Sequence, residues 1–162
     1  MWKMKNENWK PVSIRGVRLP YYYVSDHGRV LSTKYGKERI LKIRIREKGM
    51  SGRGGHSDIK LSKPKDLILD EYRGDGQTFA GTFQIHQLVM WAFKPVDQNP
   101  PDELKDDWDN APESFKQWVR DTVIIDHIND NPHDNRIVNL QYVTPKKNNA
   151  WRKLYLKENN DN

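Results

Sequence analysis

The sequence predicts an α+β protein, in which a small N-terminal antiparallel β-sheet module is followed by a helix and a strand–loop–strand–helix unit. Three observations support this fold class. Short runs rich in Val, Ile and Tyr alternate with turn residues in the first third of the chain, as in antiparallel sheets. The apolar period becomes helical between Thr82 and Phe93. Two short apolar strands then flank a polar loop and precede a final helix.

The N-terminal third is predicted to consist of short strands. Trp9 to Ser32 contains strand formers on both sides of the turn Ser25-Asp26-His27-Gly28. Arg39 to Arg46 alternates apolar and basic residues, which predicts one strand with an apolar face and a basic face. Lys48 to Gly55 is Gly-rich and basic, as in a loop or hairpin tip, and Ser57 to Leu61 predicts a returning strand.

The second half of the chain predicts helices around two short strands. The helix from Thr82 to Phe93 ends before Pro95. A short helix is predicted over Ala111 to Arg120, with Asn110 as its cap and Pro112 in its first turn. The remaining elements are a strand at Val123–Ile125, a polar loop at Asn129–Asn135, a strand at Leu140–Val143 and a helix from Thr144 to about Lys157.

Composition excludes several classes of protein. The chain has no cysteine, which rules out a disulfide scaffold, a thiolate zinc site and a cysteine nucleophile. No apolar run approaches the roughly 20 residues that span a bilayer. The first ten residues are polar and lack the apolar core of a signal peptide. A soluble protein of the cytoplasm is therefore expected, without a membrane partner.

The net charge of +6 is unevenly distributed along the chain. From Lys34 to Lys65 there are eleven basic and three acidic residues, whereas from Asp97 to Asp109 there are six acidic residues and one lysine. Five further basic residues and no acidic ones lie between Thr144 and Lys157. Two basic blocks favour a polyanionic partner. The alternative is an ordinary solvated surface, because charge patterning identifies no mechanism by itself.

The candidate chemistry lies between Ile125 and Thr144, with Asn148 shortly after. Asp126 and His127 end a predicted strand, and a hairpin would let the following helix fold back beside them. The carboxylate of Asp126 and the amide oxygen of Asn148 are then predicted to share one cation. Two oxygen ligands with open positions suit Mg²⁺ or Mn²⁺. His127, on the opposite strand face, is predicted to take a proton from water.

This stretch resembles the HNH nuclease motif, also called the ββα-metal fold, and more narrowly the HNH homing endonucleases of phage introns. The resemblance implies that His127 is the general base and that Asp126 and Asn148 hold one divalent cation per site. It implies structural roles for Asn139 and Asn135 in the loop of the motif. The last ligand is Asn where many HNH proteins have His, as is common in this subfamily.

Two other segments resemble parts of the same nucleases. Trp9-Lys10-Pro11-Val12 and the stretch from Tyr22 to Ser32 look like their small N-terminal DNA-binding module. The helix that contains His86-Gln87-Leu88-Val89 and Ala92-Phe93 resembles the one that precedes the HNH core. The predicted organisation is an N-terminal β-rich DNA-binding module over 1–76, an HNH nuclease domain over 77–157 with an inserted segment at about 96–122, and a frayed tail over 158–162.

The resemblance implies a metal-dependent endonuclease that hydrolyses phosphodiester bonds in double-stranded DNA. One site per chain predicts nicking of one strand by a monomer, with a dimer as the route to double-strand cleavage. The expected setting is a homing endonuclease of phage or mobile-element origin in the cytoplasm of a bacterial host. Two alternatives stay open: a non-homing HNH nuclease that serves phage DNA packaging or host DNA degradation, and a non-catalytic DNA-binding protein on an HNH scaffold.

The other histidines have weaker signals. His86 is a candidate supporting residue of the site, with a structural, hydrogen-bonded role as the favoured alternative. His133 is a second candidate supporting residue, although a solvent-exposed loop histidine is the commoner case. His27 is expected in a turn, and His56 in a loop that is near DNA at best.

Several basic residues are candidate DNA contacts. Arginines on a strand face can read guanine in the major groove, whereas the alternative is a charged edge strand that resists aggregation. Lysines and arginines that flank the proposed site can hold phosphates. The candidates are Lys42, Arg44, Arg46, Arg53, Lys146, Lys147, Arg152 and Lys153. Trp91, Trp118 and Trp151 are expected to pack in the core or between segments.

Overall fold

Antiparallel sheets dominate the first half of the structure. The structure is a computed structural model, and it describes residues 6–14, 16–47, 55–62 and 80–150. The first sheet has four strands in the order β1-β2-β3-β4. These strands are β1 (Trp9–Ile14), β2 (Val17–Ser25), β3 (Val30–Ser32) and β4 (Arg39–Ile40). Their buried side chains alternate along the strands, so one face of this sheet covers the core.

The second sheet leads directly into the central helix. It is antiparallel and has the order β5-β6-β7, with β5 (Arg44–Ile45), β6 (Ser57–Ser62) and β7 (Ala80–Gln84). Helix α1 (Ile85–Phe93) follows β7 without a break. It packs against β1, β2, β6 and β7, and it also contacts β8. Its apolar face is fully buried, so α1 connects both N-terminal sheets to the C-terminal part of the chain.

The C-terminal part is a strand–loop–strand–helix unit preceded by two short helices. The helices are α2 (Lys105–Trp108) and α3 (Glu113–Thr122), the strands are β8 (Ile124–His127) and β9 (Leu140–Val143), and residues 145–150 form α4. The two strands pair antiparallel. The predicted α+β class is confirmed. Among the described residues, no helix combines the length and apolarity that a membrane crossing needs.

The segment predicted to be an insertion has its own small set of contacts. Trp108 is buried and donates its indole N–H to the backbone oxygen of Asp97 at 2.9 Å. Arg120 binds Asp97 and Glu113. Trp118 was expected to pack in the core or between segments, but its side chain is 53% exposed and stacks beside Phe115 on the same helix, α3. Trp91 does pack against the core, and Trp151 lies outside the described residues.

The single strand predicted over 39–46 is wrong. β4 pairs with β3 in the first sheet, whereas β5 pairs with β6 in the second. Because the chain changes sheet between them, the alternation does not produce one apolar face. Leu41 and Ile43 in the connection pack against the core, while Ile40 and Ile45 are exposed.

Two predicted helix starts are also wrong. The central helix begins at Ile85 and not at Thr82, because residues Ala80–Gln84 pair with β6. The β-branched and aromatic pair Thr82-Phe83 suits that edge of a sheet. Helix α3 begins at Glu113 with Pro112 at its N-cap position, two residues after the predicted start. A proline there removes no intrahelical bond, because its N–H would be unsatisfied anyway.

Candidate active site

The end of β8 places two chemically different side chains next to each other. Asp126 pairs with Gln141 across the β8–β9 hairpin, and the Gln141 side-chain amide donates to Asp126 Oδ2 at 2.9 Å. Oδ1 of Asp126 has no hydrogen-bond partner within the described part of the chain. His127 follows on the other face of the strand and is only 7% exposed. The strand end thus carries a half-buried carboxylate and a buried imidazole on opposite faces.

Asn139 holds the loop that joins the two strands. Its amide nitrogen donates to the backbone oxygen of Asp134 at 2.8 Å and to Asn129 Oδ1 at 2.9 Å. Its Oδ1 accepts the backbone N–H of Asn129 at 3.1 Å. Asn139 is buried, so these three bonds satisfy most of an amide that water cannot reach.

A second local set of bonds stiffens the same loop. Asp134 accepts two hydrogen bonds from the Arg136 guanidinium, at 2.8 and 2.7 Å, and one from the Asn129 side chain at 2.9 Å. The Arg136 bonds, aided by Asn129, lower the pKa of Asp134 to about 2. Asp134 therefore remains ionised at any pH at which the protein is used, and the loop keeps its anchor.

Asn135 determines which nitrogen of His127 carries the proton. The Asn135 amide nitrogen donates to the backbone oxygen of His133 at 3.2 Å, which turns Oδ1 towards His127. This Oδ1 lies 3.2 Å from His127 Nε2. Because Oδ1 can only accept, Nε2 must donate, and the lone pair of the neutral ring is left on Nδ1. Both side chains are buried, so the arrangement is protected from water.

Two further histidines lie against His127. The ring centroids of His56 and His86 are 5.6 and 5.2 Å from that of His127, and 4.8 Å from each other. Burial, with neighbouring His56 and His127, lowers the pKa of His86 to about 3. Burial and the nearby His127 and His133 also lower the pKa of His56. Both rings are therefore neutral at pH 7.

His56 lies outside the strands, as expected for a loop residue, but its contact with His127 was not expected from the sequence. It immediately precedes β6, is half-buried, and joins the cluster around His127. Nδ1 of His56 and Nδ1 of His86 are both buried and have no hydrogen-bond partner in the described part of the chain. The hydrogen-bonded role predicted for His86 is therefore not seen at its Nδ1. His133 is exposed, and its Nδ1 shares a 3.1 Å hydrogen bond with the hydroxyl of buried Ser57.

The turn between β2 and β3 touches the same loop from the N-terminal sheet. Gly28 has φ +81°, and a Cβ built on it would lie 2.9 Å from Asn135 Cβ and 3.2 Å from Asn135 O. The neighbouring Asp26 accepts the backbone N–H of Ile137 at 2.8 Å. A glycine is therefore required here both by the left-handed backbone and by the closeness of Asn135.

Helix α1 adds a second tie to the loop. Lys94, just after the helix, donates through Nζ to the backbone oxygens of Ile137 and Leu140, each at 3.1 Å. These carbonyls lie on either side of Asn139 at the start of β9. Together with the β2–β3 turn, Lys94 fixes the loop against the N-terminal half of the molecule.

Asn148 lies one turn into α4, after a well-capped start. Its backbone N–H donates to Thr144 O at 3.0 Å, and the Thr144 hydroxyl accepts from Lys147 N at 3.4 Å. Glu103 of the inserted segment accepts hydrogen bonds from Thr144 N and Oγ1, at 3.2 and 2.7 Å. Burial opposes ionisation of Glu103, but the bonds from Thr144 and the nearby Lys147 outweigh it and lower its pKa. The insertion thus supports the helix that carries Asn148.

The basic residues proposed as DNA contacts differ in whether they already bind an acidic side chain. Arg44 and Arg46 are both more than half exposed, but both guanidiniums bind the carboxylate of buried Asp58. Lys147 is 3.6 Å from Glu103, whereas Lys146 is exposed. Lys42 lines a shallow groove together with Arg39, Lys60, Ile40, Leu41 and Ile59. Arg53, Arg152 and Lys153 lie outside the described residues.

A β-hairpin followed by a helix, with a carboxylate and a histidine at the end of its first strand, is the ββα arrangement predicted from the motif. Comparison with known proteins agrees. Residues 118–150 match the family model described as HNH endonuclease. The predicted resemblance to HNH endonucleases is confirmed, and we call residues 118–150, which match that family model, the HNH module.

Two relatives extend the likeness to most of the chain. An uncharacterized HNH endonuclease of Acanthamoeba polyphaga mimivirus is 28% identical over 144 residues, which are 89% of this chain and 25% of the viral protein. The HNH homing endonuclease I-HmuI, solved in a study of its DNA binding and cleavage, is 25% identical with a TM-score of 0.51. That match covers 93% of this chain and 59% of I-HmuI. This chain therefore spans a quarter of one relative and less than two thirds of the other.

Proposed function

We propose that the protein is a metal-dependent DNA endonuclease, with His127 as the general base and Asp126 and Asn148 as ligands of one Mg²⁺ or Mn²⁺ ion. The observation that carries the proposal is the bond between His127 Nε2 and Asn135 Oδ1. When the buried imidazole is unprotonated, this bond leaves its lone pair on Nδ1, one residue after a carboxylate with a free oxygen. That combination offers a general base and a metal ligand, which together can promote hydrolysis of a phosphodiester.

The side chains have separate tasks in this proposal. His127 takes a proton at Nδ1 from the attacking water, and Asn135 keeps its Nε2 protonated. Asp126 Oδ1 and the amide oxygen of Asn148 are hard oxygen donors, which fit Mg²⁺ or Mn²⁺. When bound, such an ion stabilises negative charge on the phosphate and on the leaving oxygen. Gln141 holds Asp126 through its other oxygen, so the free oxygen has a fixed direction.

The substrate in this proposal is double-stranded DNA in the cytoplasm of a bacterial host. The likeness to I-HmuI supports a homing endonuclease, and one HNH module supports nicking of one strand by a monomer. Lys146 and Lys42 are exposed candidates for phosphate contacts, while Arg44, Arg46 and Lys147 must exchange an acidic partner for DNA. Binding should weaken steeply with salt, because phosphate contacts release counterions.

Cleavage of supercoiled plasmid with Mg²⁺ or Mn²⁺ tests the proposal. The wild-type protein should produce relaxed circles, and chelation by EDTA should stop the reaction. Asp126→Asn should reduce the rate by about 100-fold or more, because it removes one charged ligand. Asp130→Asn is the matched control. It removes a carboxylate four residues away, and Asn tolerates the positive φ of 57° at that position.

The outcomes separate the proposal from its rivals. Equal rates for Asp126→Asn and Asp130→Asn, or cleavage in EDTA, would contradict the metal site. DNA binding without cleavage by the wild type would instead favour a non-catalytic DNA-binding protein. Mapping of the cut positions then distinguishes homing, which requires one preferred site, from a nuclease that leaves scattered nicks.

A further inference from the structure

The three-histidine cluster at the core of the site is the feature that this mechanism leaves largely unused. His56 precedes β6, His86 lies in the first turn of α1, and His127 ends β8. One ring nitrogen from each lies within 4.8 Å of those of the other two. Only His127 has a task in the proposed reaction, so the convergence of the other two rings needs a separate explanation.

The polar atoms of the cluster lack partners. His86 is 5% exposed, and its Nδ1 is buried without a hydrogen bond from any described residue. Nδ1 of His56 is in the same situation. Native structures leave few buried polar atoms unsatisfied, and each such atom points to a missing occupant or a functional constraint. Two unsatisfied imidazole nitrogens beside a third ring indicate a binding site for a group that accepts lone pairs, such as a metal ion.

We propose that His56, His86 and His127 bind one Zn²⁺ ion, or a similar transition metal, and that this ion blocks the proposed nuclease reaction by occupying its general base. The inhibitory half of this inference rests on the function proposed for His127, whereas the metal site itself does not.

The donor set selects this kind of metal. Neutral imidazoles suit Zn²⁺, Cu²⁺ and Ni²⁺, while Mg²⁺ and Mn²⁺ prefer the carboxylate and amide oxygens proposed on the other face of β8. Asn135 also fits, because a histidine that binds a metal commonly donates its other ring N–H to an oxygen acceptor. The bond from His127 Nε2 to Asn135 Oδ1 supplies that contact.

Binding requires a small closure of the cluster. Tetrahedral Zn²⁺ with bonds of about 2.0–2.1 Å places its nitrogen ligands about 3.4 Å apart. The ring nitrogens of the three histidines lie up to 4.8 Å from one another, so they must move closer to bind the ion. His56 is the side chain best placed to move. It is only half-buried, and it follows Gly55, whose φ of +94° is a backbone conformation that glycine adopts easily. Three protein ligands leave the fourth position for water.

The site can be tested with the metal alone. Zn²⁺ titration by calorimetry and the visible absorption of Co²⁺, a spectroscopic substitute for Zn²⁺, should both give one ion per chain with tetrahedral or five-coordinate spectra. His56→Gln and His86→Gln should each weaken binding by about 100-fold or more, because each removes a ligand. His27→Gln is the matched control, since this half-exposed histidine pairs with Glu7 outside the cluster.

Folding of the variants is checked by circular dichroism, and His56→Gln is the more tolerant change because His56 is the least buried of the three. Absence of stoichiometric Co²⁺ or Zn²⁺ binding by the folded wild type would overturn the inference, as would equal affinity of His56→Gln and the His27→Gln control. This result does not depend on whether the protein cleaves DNA.

Inhibition is tested separately on plasmid cleavage with saturating Mg²⁺. Micromolar Zn²⁺ should stop the wild type, whereas His56→Gln, compared with its own zinc-free rate, should require at least about tenfold more Zn²⁺ for the same fractional inhibition. Equal sensitivity of the two proteins would overturn the inhibitory role. A wild type that binds Zn²⁺ but never cleaves DNA would contradict the proposed function and leave the metal site standing.

Discussion

The HNH module and the N-terminal half contribute to the site in different ways. In the module, the candidate groups lie within 33 residues and are held by local bonds, such as those of Asn139 to Asn129 and of Gln141 to Asp126. In the N-terminal half, the contributing residues are far apart in sequence and reach the site only in the folded chain. The chemistry is therefore local, whereas the placement of the base depends on remote contacts.

Gly28 and His56 in the N-terminal half, and Lys94 just after α1, illustrate the remote kind of contact. Gly28 lies against Asn135, His56 lies against the His127 ring, and Lys94 holds two carbonyls of the loop. None of them is proposed to touch DNA or a catalytic ion. A substitution in the module should therefore remove the reaction, while a substitution in the N-terminal half should reduce it by displacing the base.

The largest effect is expected for His127→Ala. Loss of a general base should lower the single-turnover cleavage rate by about 10²–10⁴-fold. DNA affinity should change little, because the buried ring makes no proposed phosphate contact. Rates from plasmid cleavage and affinities from fluorescence anisotropy at one salt concentration measure the two quantities. A near wild-type rate in a folded His127→Ala protein would rule out His127 as the base.

A smaller effect is expected at Asn135, the residue that orients His127. Asn135→Leu removes the acceptor for Nε2–H of His127. It should lower the cleavage rate by about 10–100-fold, because a misoriented base reacts more slowly. Asn135→Asp keeps an acceptor and should retain more activity. Its added carboxylate favours the protonated ring, so the rate should begin to increase at a higher pH than in the wild type.

The pH–rate profile separates this role from a purely structural one. A structural role predicts that Asn135→Asp changes the maximal rate or the melting temperature without shifting the profile. An unchanged profile, together with full activity of Asn135→Leu, would show that Asn135 does not position the base.

The difference between local and remote contacts also explains which features could be predicted from the sequence. β8, β9 and the start of α4 are close in sequence, and their apolar runs and turn residues sufficed to predict a strand–loop–strand–helix unit. Asp126, His127 and Asn139 fall in this unit because hairpin pairing is determined locally. The break between β4 and β5 could not be predicted, because apolar and basic residues still alternate along the sequence where the chain passes from one sheet to the other.

The contribution of His56 could not be predicted for a related reason. A histidine after a Gly-rich stretch has no periodicity, and its position depends on the pairing of β6 with β7 and on the packing of α1. The turn at Gly28 was predicted from its residues, but the contact of Gly28 with Asn135 joins positions more than a hundred residues apart. Local turn chemistry contains no information on that partner.

If the N-terminal half positions the base of the HNH module, one pair of glycine variants should differ in cleavage rate. Gly28→Ala and Gly16→Ala both place a Cβ on a left-handed backbone, with φ of +81° and +83°. At Gly28 the new Cβ lies 2.9 Å from Asn135 Cβ, whereas at Gly16 it meets no atom of the described residues within 4 Å. The backbone strain is therefore matched, and the contact with Asn135 differs.

The measurement is the single-turnover rate of Mg²⁺-dependent plasmid cleavage by the two variants at equal DNA occupancy. We predict that Gly28→Ala is slower than Gly16→Ala by roughly 3–10-fold, because a shift of Asn135 by a few tenths of an ångström misorients His127. Equal rates for the two variants, with both proteins folded, would contradict it.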